Sequence, residues 1–593
     1  MPNPVKRLTI GQTPIEKFAI VLSQNPTHSE EYAATRLQTY LKKATGASLF
    51  LSQVAPEHSI FIGSAAQIDR SELKHDGFAI QTDGQNLHLA GAIDRGTIYA
   101  VNTFLEKYVG VRIYAPGVER ILPSEAVEIP SCFKEVQNPV FSYRATDWIT
   151  HVTDPDFAVW EKLSSSRSGI LEDKGGSVSI IGGCHTFERL CPPKQYFDEH
   201  PEYYSLWEGK RIPAGNVFDV PVGQLCLSNP DVVKIVTENV LQWIEANPGC
   251  QVVDVSQNDN QHYCQCENCA AIDEEEGTPA GSLIRFVNQV AAAVAEKHPG
   301  VLVQTFAYQY TRKAPKFTKP ADNVMIRLCS IEACFRHKLD HGCEHNIEQF
   351  SQHMESWSKL AKHLSIWDYT TNYECYLAPF PNLWVLRDNV RYFADNNALH
   401  VFEEDTPGTN TGEFGPMRAY LIARLLWNPY MSEEEFNYHM DDFLEGYFGP
   451  GWESLKEYLE ILKKTTEDFH IRCFEPVYPI SPEPFNARYD YVPFAYQDIR
   501  GEHYLTPFMS HLPRLKAMWA NVLDKARDDA ERERILRARM SLDYMELFCT
   551  PHIKEEMTES EQAEYEAAVA EFLEKKERFG IHTNLFTAEK WKR

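Results

Sequence analysis

The sequence predicts an α/β protein: a (β/α)8 TIM-type barrel with a small N-terminal α/β domain and a helical C-terminal region. Three observations carry this. Between about residues 138 and 430, strand-like and helix-like segments alternate, and eight strand candidates can be counted. Four of them run into a carboxylate: Gln251–Val255 leads to Asp259, Val324–Leu328 to Glu332, Leu364–Trp367 to Asp368 and Leu399–Phe402 to Glu403. In a barrel all strand C-termini meet at one face, and that face carries the chemistry. The pattern also changes character on either side, giving domains at 1–134, 135–430 and 431–593.

In the first domain, Phe18–Leu22 reads as a strand and Tyr32, Leu37, Tyr40 and Leu41 as one face of a helix. Ile60–Gly63 follows, then two short alternating runs, Gly77–Ile80 and Leu87–Leu89, joined through Asp83-Gly84, a hairpin signal. Ile98, Val101, Phe104, Leu105 and Val109 line a second helix that Gly110 should cap. The barrel strands are Phe141–Trp148, Ser177–Ile181, Leu225–Leu227, Gln251–Val255, Val301–Ala307, Val324–Leu328, Leu364–Trp367 and Leu399–Phe402. Ser282–Lys297 is a helix on the stripe Leu283, Phe286, Val287, Val290 and Val294. Beyond 431, charged and apolar residues alternate at helical spacing over Leu455–Thr466 and Leu512–Phe548, interrupted by a Pro- and Tyr-rich loop, Phe474–Tyr496.

Composition excludes some partners. The chain has 593 residues, 43% apolar, with 84 acids against 58 bases and a net charge of −26. Nucleic acids and anionic membranes need a basic surface, so neither is expected as a partner. No segment reaches about 18 uninterrupted apolar residues, and the Met1 end has no signal-like run. The expectation is a cytoplasmic protein, or a secreted or periplasmic one if a signal was removed. Fourteen cysteines in so long a chain do not resemble a disulfide scaffold.

Five clusters could carry chemistry. Ser256-Gln257-Asn258-Asp259-Asn260, after the fourth strand, reads either as an Asx-rich turn or as a hydrogen-bonding rim for sugar hydroxyls. His262-Tyr263-Cys264-Gln265-Cys266-Glu267-Asn268-Cys269 offers three thiolates to one metal. Its fourth ligand would be His262 or a distant Cys such as Cys184; reduced thiols or a disulfide are the other readings. Glu332, with Arg336 and His337 nearby, reads as a general acid of raised pKa or as an Arg–Glu ion pair that fixes a loop. In Trp367-Asp368-Tyr369, extended to Asn372, the indole could floor a sugar subsite while Asp368 and Tyr369 hold an N-acetyl group; a buried Trp beside a capped Asp is the alternative. In Glu403-Glu404-Asp405 adjacent charges repel, so one acid should be solvated or protonated; Glu403 is the member of interest because it directly follows the strand, with Glu413 and Arg418 as supports.

Several of these segments, together with Tyr196–Tyr203, Gln224–Pro230 and Pro379–Leu383, resemble glycoside hydrolase family 163 over roughly residues 135–430. The preceding region is similar to the small α/β domain of family 20 hexosaminidases and family 67 α-glucuronidases. After Glu404 this chain has Asp405-Thr406, where the family pattern carries glycine. The resemblance implies a retaining, substrate-assisted β-N-acetylglucosaminidase, of endo type on complex N-glycans, with no required cofactor. Among the strand-end acids, that mechanism would use Glu332 or Glu403 as general acid/base and Asp368 as the acetamido-orienting group with Tyr369, with Asp259 a candidate for either role. His185, Asn258, Asn260, Trp367, Tyr369 and Asn372 would bind sugar. Arg144, Arg327 or Arg336 would meet a uronate in an exo-acting or uronate-directed glycosidase. A non-catalytic sugar-binding barrel and a metalloprotein with structural zinc on Cys264, Cys266 and Cys269 stay open. The expected partner is an oligosaccharide or glycan, with a homodimer as a further option.

Overall fold

The computed structural model describes residues 3–216, 221–406, 408–409, 413–475, 504–549 and 558–582. Its N-terminal unit is a six-stranded sheet in the order Cys132–Gln137, Phe78–Asp83, Leu87–Gly91, Ser59–Ile62, Ala19–Val21, Leu51–Ser52. The Phe78–Asp83 and Leu87–Gly91 strands pair antiparallel across the Asp83-Gly84 turn. The helix His28–Thr45 begins with a capping box between Thr27 and Glu30 and ends at Gly46, whose φ of 79° only glycine adopts without strain. The helix Asp94–Phe104 widens into a last turn, Leu105–Val109, and stops at Gly110.

The central element is a curled sheet of seven parallel strands: β1 Tyr143–Thr146, β2 Ile180–Ile181, β3 Val252–Asp254, β4 Leu302–Ala307, β5 Val324–Cys329, β6 His363–Tyr369 and β7 Ala398–Glu404. Their order is β1-β7-β6-β5-β4-β3-β2, and every neighbouring pair is parallel. Seven of the eight expected strands lie in it. Leu225–Leu227 does not: Leu225 makes only an isolated antiparallel bridge to Tyr204. The two edge strands are spanned by a segment the sequence hid. The Ser164 N–H donates to the Arg144 carbonyl (3.0 Å), the Val178 N–H donates to the Ser164 carbonyl (2.9 Å), and Ser165 bridges Val178 in parallel. Leu163-Ser164-Ser165-Ser166 is too polar and too short to show as a strand.

Helices cover the sheet's outer face. Ala280–Lys297 buries the expected stripe of Leu283, Phe286, Val287, Val290 and Val294, each worth roughly 1.5–3 kcal/mol against exposure. Leu383–Asp395 and Gly415–Trp427 pack against β7 and β1. The C-terminal region is helical: Glu433–Phe448, Trp452–Thr465, Leu512–Asp524, Asp529–Cys549 and Glu559–Phe579. The run expected over Leu512–Phe548 is therefore two helices, broken at residues 525–528. Most of the Pro- and Tyr-rich stretch, 476–496, lies outside the described residues. No helix among the described residues is long and apolar enough to cross a membrane.

One buried cluster ties the N-terminal unit to the sheet. Asp76 accepts from Arg95 (2.9 Å) and from Arg144 on β1 (2.5 Å). Burial would raise the Asp76 pKa, but the two guanidinium groups outweigh it and hold the carboxyl at about 2. Beside it the Tyr99 hydroxyl donates to the Leu163 carbonyl at 2.7 Å. A cavity of about 660 Å³, lined by Glu106, Arg112, Lys162, Arg424 and Trp427 among others, lies here. It sits by the C-terminus of the helix that follows β7, and so at the end of the sheet where strands begin.

Candidate active site

Side chains alternate across a strand, so one face of the curled sheet looks inward and the other meets the helices. Tyr143, Ala145, Val178, Ile180, Phe402 and Trp367 form a small apolar cluster of their own, which marks the inner face. Val401 and Ile366 alternate with these residues along their strands and pack into the large core, so they face the other way, toward the helices. The register then sorts the polar residues. Trp367 pairs with Phe402, Tyr369 with Glu404, and Arg327 with Ser365 on the inner side. Asp368 pairs with Glu403, and Glu403 with Thr146, on the outer side.

At the C-terminal rim of the inner face, the Trp367 indole N–H donates to Glu404 Oε2 at 2.6 Å. The indole packs edge-on against Phe306 and Phe402, and the Arg327 guanidinium lies 5.4 Å from its ring centre. The Glu404 carbonyl accepts from the Thr370 N–H and hydroxyl and from the Tyr373 hydroxyl, which fixes the strand end. Burial, then the negative charge of Asp147, raises the Glu404 carboxyl to about 8; the Trp367 hydrogen bond and Arg167 pull the other way. Asp147, just past β1, is itself raised by burial, against Arg167 at 3.7 Å and the Asp405 N–H, which donates to it at 2.7 Å. Two neighbouring acids in a dry site cannot both ionise easily, so one keeps a proton near neutrality.

Asp259 reaches the same rim after β3. Its Oδ1 accepts from the Tyr308 hydroxyl (3.1 Å) and from Gln309 Nε2 (3.4 Å), and its N–H donates to Asn216 Oδ1 (2.7 Å). It also adds to the negative charge that Glu404 feels. His185 stands alongside, edge-on to Phe306. Its Nδ1 lies 2.8 Å from the Gln257 carbonyl, an acceptor, so Nδ1 donates there and the ring is held with Nε2 turned away from that carbonyl. Its φ of 51° is in the left-handed region, a strain of order 1–3 kcal/mol that structures tend to keep at working sites.

The sequence-predicted residues therefore divide. Asp259, His185 and Trp367 meet at the rim, and Tyr369 pairs in register with Glu404 while its ring packs on Phe335 and Tyr373. Asp368 and Glu403 do not: both are buried on the outer face, where Asp368 accepts from the Ser330 hydroxyl. Burial raises Asp368 to about 6, and burial with the charge of Asp368 pushes Glu403 well above the carboxylate range, so this pair holds a proton away from the rim. Glu332 is buried in an ion pair with Arg312 at 2.6 Å. The loop-fixing ion pair expected as an alternative thus exists, but with Arg312; Arg336 instead binds Thr466 and the Lys463 carbonyl. Asn258, Asn260 and Asn372 spend their amides within the loops: Asn258 on the backbone of Gly223 and Glu188, Asn260 on the backbone of Gly215 and His262 and on Gln224 Nε2, Asn372 on the backbone of Glu374 and Glu475. Arg144 is fully buried on the outer face against Asp76.

Sequence reasoning passed over Glu404, Asp147 and Tyr308. Glu404 stood inside the quoted acid triplet, but apolar residues on both faces of a covered strand hide which parity is inward. Asp147 lies one residue inside the end of the first predicted strand, Phe141–Trp148, and ends up just past the strand the structure forms there, Tyr143–Thr146.

The metal expectation is also revised. Cys264, Cys266 and Cys269 come together, but the fourth group is Cys226. His262 is held by the Val222 carbonyl (2.7 Å) and Trp207, and Cys184 lies near Asp254 and Arg327.

The comparisons bear on the fold, which is glycoside hydrolase-like. Residues 1–108 match the family described as glycosyl hydrolase family 20, domain 2. The chain belongs to the family described as Domain of unknown function (DUF4838), which matches residues 113–460. A comparison with curated proteins finds no match. Among solved structures the chain is similar to a family GH115 4-O-methyl-α-glucuronidase, BtGH115A, with specificity for decorated arabinogalactans: 11% identity, 95% of this chain and 76% of that one, TM-score 0.55. A family 89 glycoside hydrolase from Clostridium perfringens, in complex with 2-acetamido-1,2-dideoxynojirmycin, aligns over 92% of this chain and 65% of that one at 11% identity and TM-score 0.49.

Proposed function

We propose that this chain is a retaining glycoside hydrolase that cleaves β-linked N-acetylglucosamine at the C-terminal rim of its curled sheet, which the Ser164–Ser165 segment completes as an eight-stranded barrel. The observation that carries the reading is Glu404: a carboxyl held protonated near neutral pH by burial and Asp147, aimed by the Trp367 indole, on the inner face. Glu404 is the general acid. It gives its proton to the glycosidic oxygen while the substrate's acetamido oxygen attacks the anomeric carbon and the C–O bond breaks. Glu404, now a carboxylate, then takes a proton from the water that opens the oxazoline. Asp259, fixed by Tyr308, orients the acetamido N–H and balances its charge. Trp367 offers a platform for a sugar ring. The family 20 domain-2 match and the resemblance to glycoside hydrolase family 163 support N-acetylglucosamine, and the latter an endo action on complex N-glycans.

A uronate-directed activity is the second reading. It is favoured by Arg327 on the inner face and Arg167 at the rim, and by the likeness to an α-glucuronidase. The test is incubation with a complex biantennary N-glycan, an aryl β-N-acetylglucosaminide and an aryl α-glucuronide, with products read by mass. Glycan release leaving one N-acetylglucosamine on the reducing end supports the endo reading, and aryl N-acetylglucosaminide turnover alone an exo-enzyme. Turnover of the glucuronide alone would replace the first reading by the second. Turnover of none would overturn both.

A further inference from the structure

We propose that Cys226, Cys264, Cys266 and Cys269 bind one structural zinc ion. The four sulfurs lie within 4.8 Å of one another, and all but Cys266 are buried. A tetrahedral site with Zn–S bonds of about 2.3 Å sets its sulfurs about 3.8 Å apart. Here Cys226 Sγ is 3.7 Å from Cys266 Sγ and 4.0 Å from Cys269 Sγ. The surroundings suit a buried dianionic zinc–tetrathiolate. The Leu206 N–H donates to Cys264 Sγ at 3.4 Å, Arg211 Nη1 lies 3.7 Å from the same sulfur, and Ser228 Oγ is 3.1 Å from Cys269 Sγ. Cys266 caps the helix Glu267–Glu276 and Cys269 sits in its first turn, where the helix's positive end favours thiolate. With four protein ligands the site has no open position and is structural. It pins the loop that carries Asn258, Asp259 and Asn260 to the hairpin Leu206–Arg211 and to the start of the helix Pro230–Ala246.

A second cluster stands on separate residues. Cys334, His337, Cys343 and His470 also bring one ligand atom each within 4.8 Å of the others. His337 Nδ1 is 3.3 Å from Cys334 Sγ while its Nε2 is 3.2 Å from the Glu467 carbonyl, so the ring is oriented with Nδ1 toward the cluster. The Asn346 N–H donates to Cys343 Sγ at 3.4 Å. We infer a second zinc ion here, tying the loop after Glu332 to the C-terminal segment.

The test is elemental analysis of the full chain, purified reduced and without chelator, beside Cys266→Ser and Cys343→Ser variants and a Cys250→Ser control. Two zinc equivalents are expected in the wild type and in the control, and one in each of the other variants. One equivalent, lost only in Cys266→Ser, would uphold the first site and overturn the second; the converse pattern would do the reverse. A metal-free wild type, whether its thiols all titrate or are lost to disulfides, would overturn both. Because Cys266→Ser could unfold, cobalt exchange into the wild type gives an independent reading: tetrahedral thiolate absorption is expected, and an octahedral spectrum would overturn the proposal.

Discussion

Glu404 should behave as an acid that is useful only while protonated. With its carboxyl at about 8, turnover should be flat on the alkaline side of neutrality and fall tenfold per pH unit above about 8. The Trp367 hydrogen bond lowers this pKa, so Trp367→Phe should move the alkaline limb upward as it weakens binding; a limb that stays put or moves down would refute the assignment. Glu404→Gln should cost about 10²–10⁴ in turnover on a nitrophenyl glycoside, and much less on a dinitrophenyl one, whose leaving group needs no proton. Glu403 gives the opposite case. Its folded pKa lies above the ordinary 4.5, so its contribution to stability is complete below that value and is lost as pH rises. Glu403→Gln should therefore stabilise the protein at pH 7–8 and do little at pH 4, as read by urea unfolding. A large loss of turnover in that variant, with Glu404→Gln active, would exchange the two roles.

At the scale of elements, much was legible. The hairpin at Asp83-Gly84, the stripe of Ala280–Lys297 and seven parallel strands follow from periodicity and turn chemistry. What failed failed for physical reasons. Leu225–Leu227 has a strand's composition but pairs with Tyr204, because an apolar triplet says nothing about its partner. Ser164–Ser165 holds a strand's place through backbone bonds and through its hydroxyls, the Ser164 Oγ accepting from the Arg144 N–H and the Ser165 Oγ meeting the Tyr143 hydroxyl. The site was half legible: strand ends were found, but a one-residue parity decides whether an acid faces the rim, as with Glu404, or the helices, as with Glu403. The Cys226 link was hidden for another reason, since 38 residues separate it from Cys264 and only folding joins them.

Over the whole molecule, one ionic cluster couples two folding units. Arg144 is wholly buried and Asp76 nearly so. Removing either partner strands a charge without water, so Arg144→Ala should cost about 3–5 kcal/mol in denaturant unfolding, and lysine should not rescue the forked contact. The Asp76 pKa is depressed to about 2, so its contribution is present above the ordinary 3.8 and lost as pH falls from there toward 2. Asp76→Asn should be less stable than wild type at neutral pH, and the gap should close in that acid window. A gap that persists unchanged to pH 2 would contradict the ionic account.

The two-serine segment is a weak seam between the edge strands of the sheet. β4, β5 and β6 are six or seven residues long and paired on both sides, whereas the link between β1 and β2 through this segment rests on few backbone bonds. Amide exchange should follow this asymmetry, with the Ser164 and Val178 protons trading with solvent through brief local openings while the Ile326 and Ile366 protons wait for global unfolding. The sheet would then breathe along one line, beside the strand end that carries Asp147, and hold rigid around Glu404.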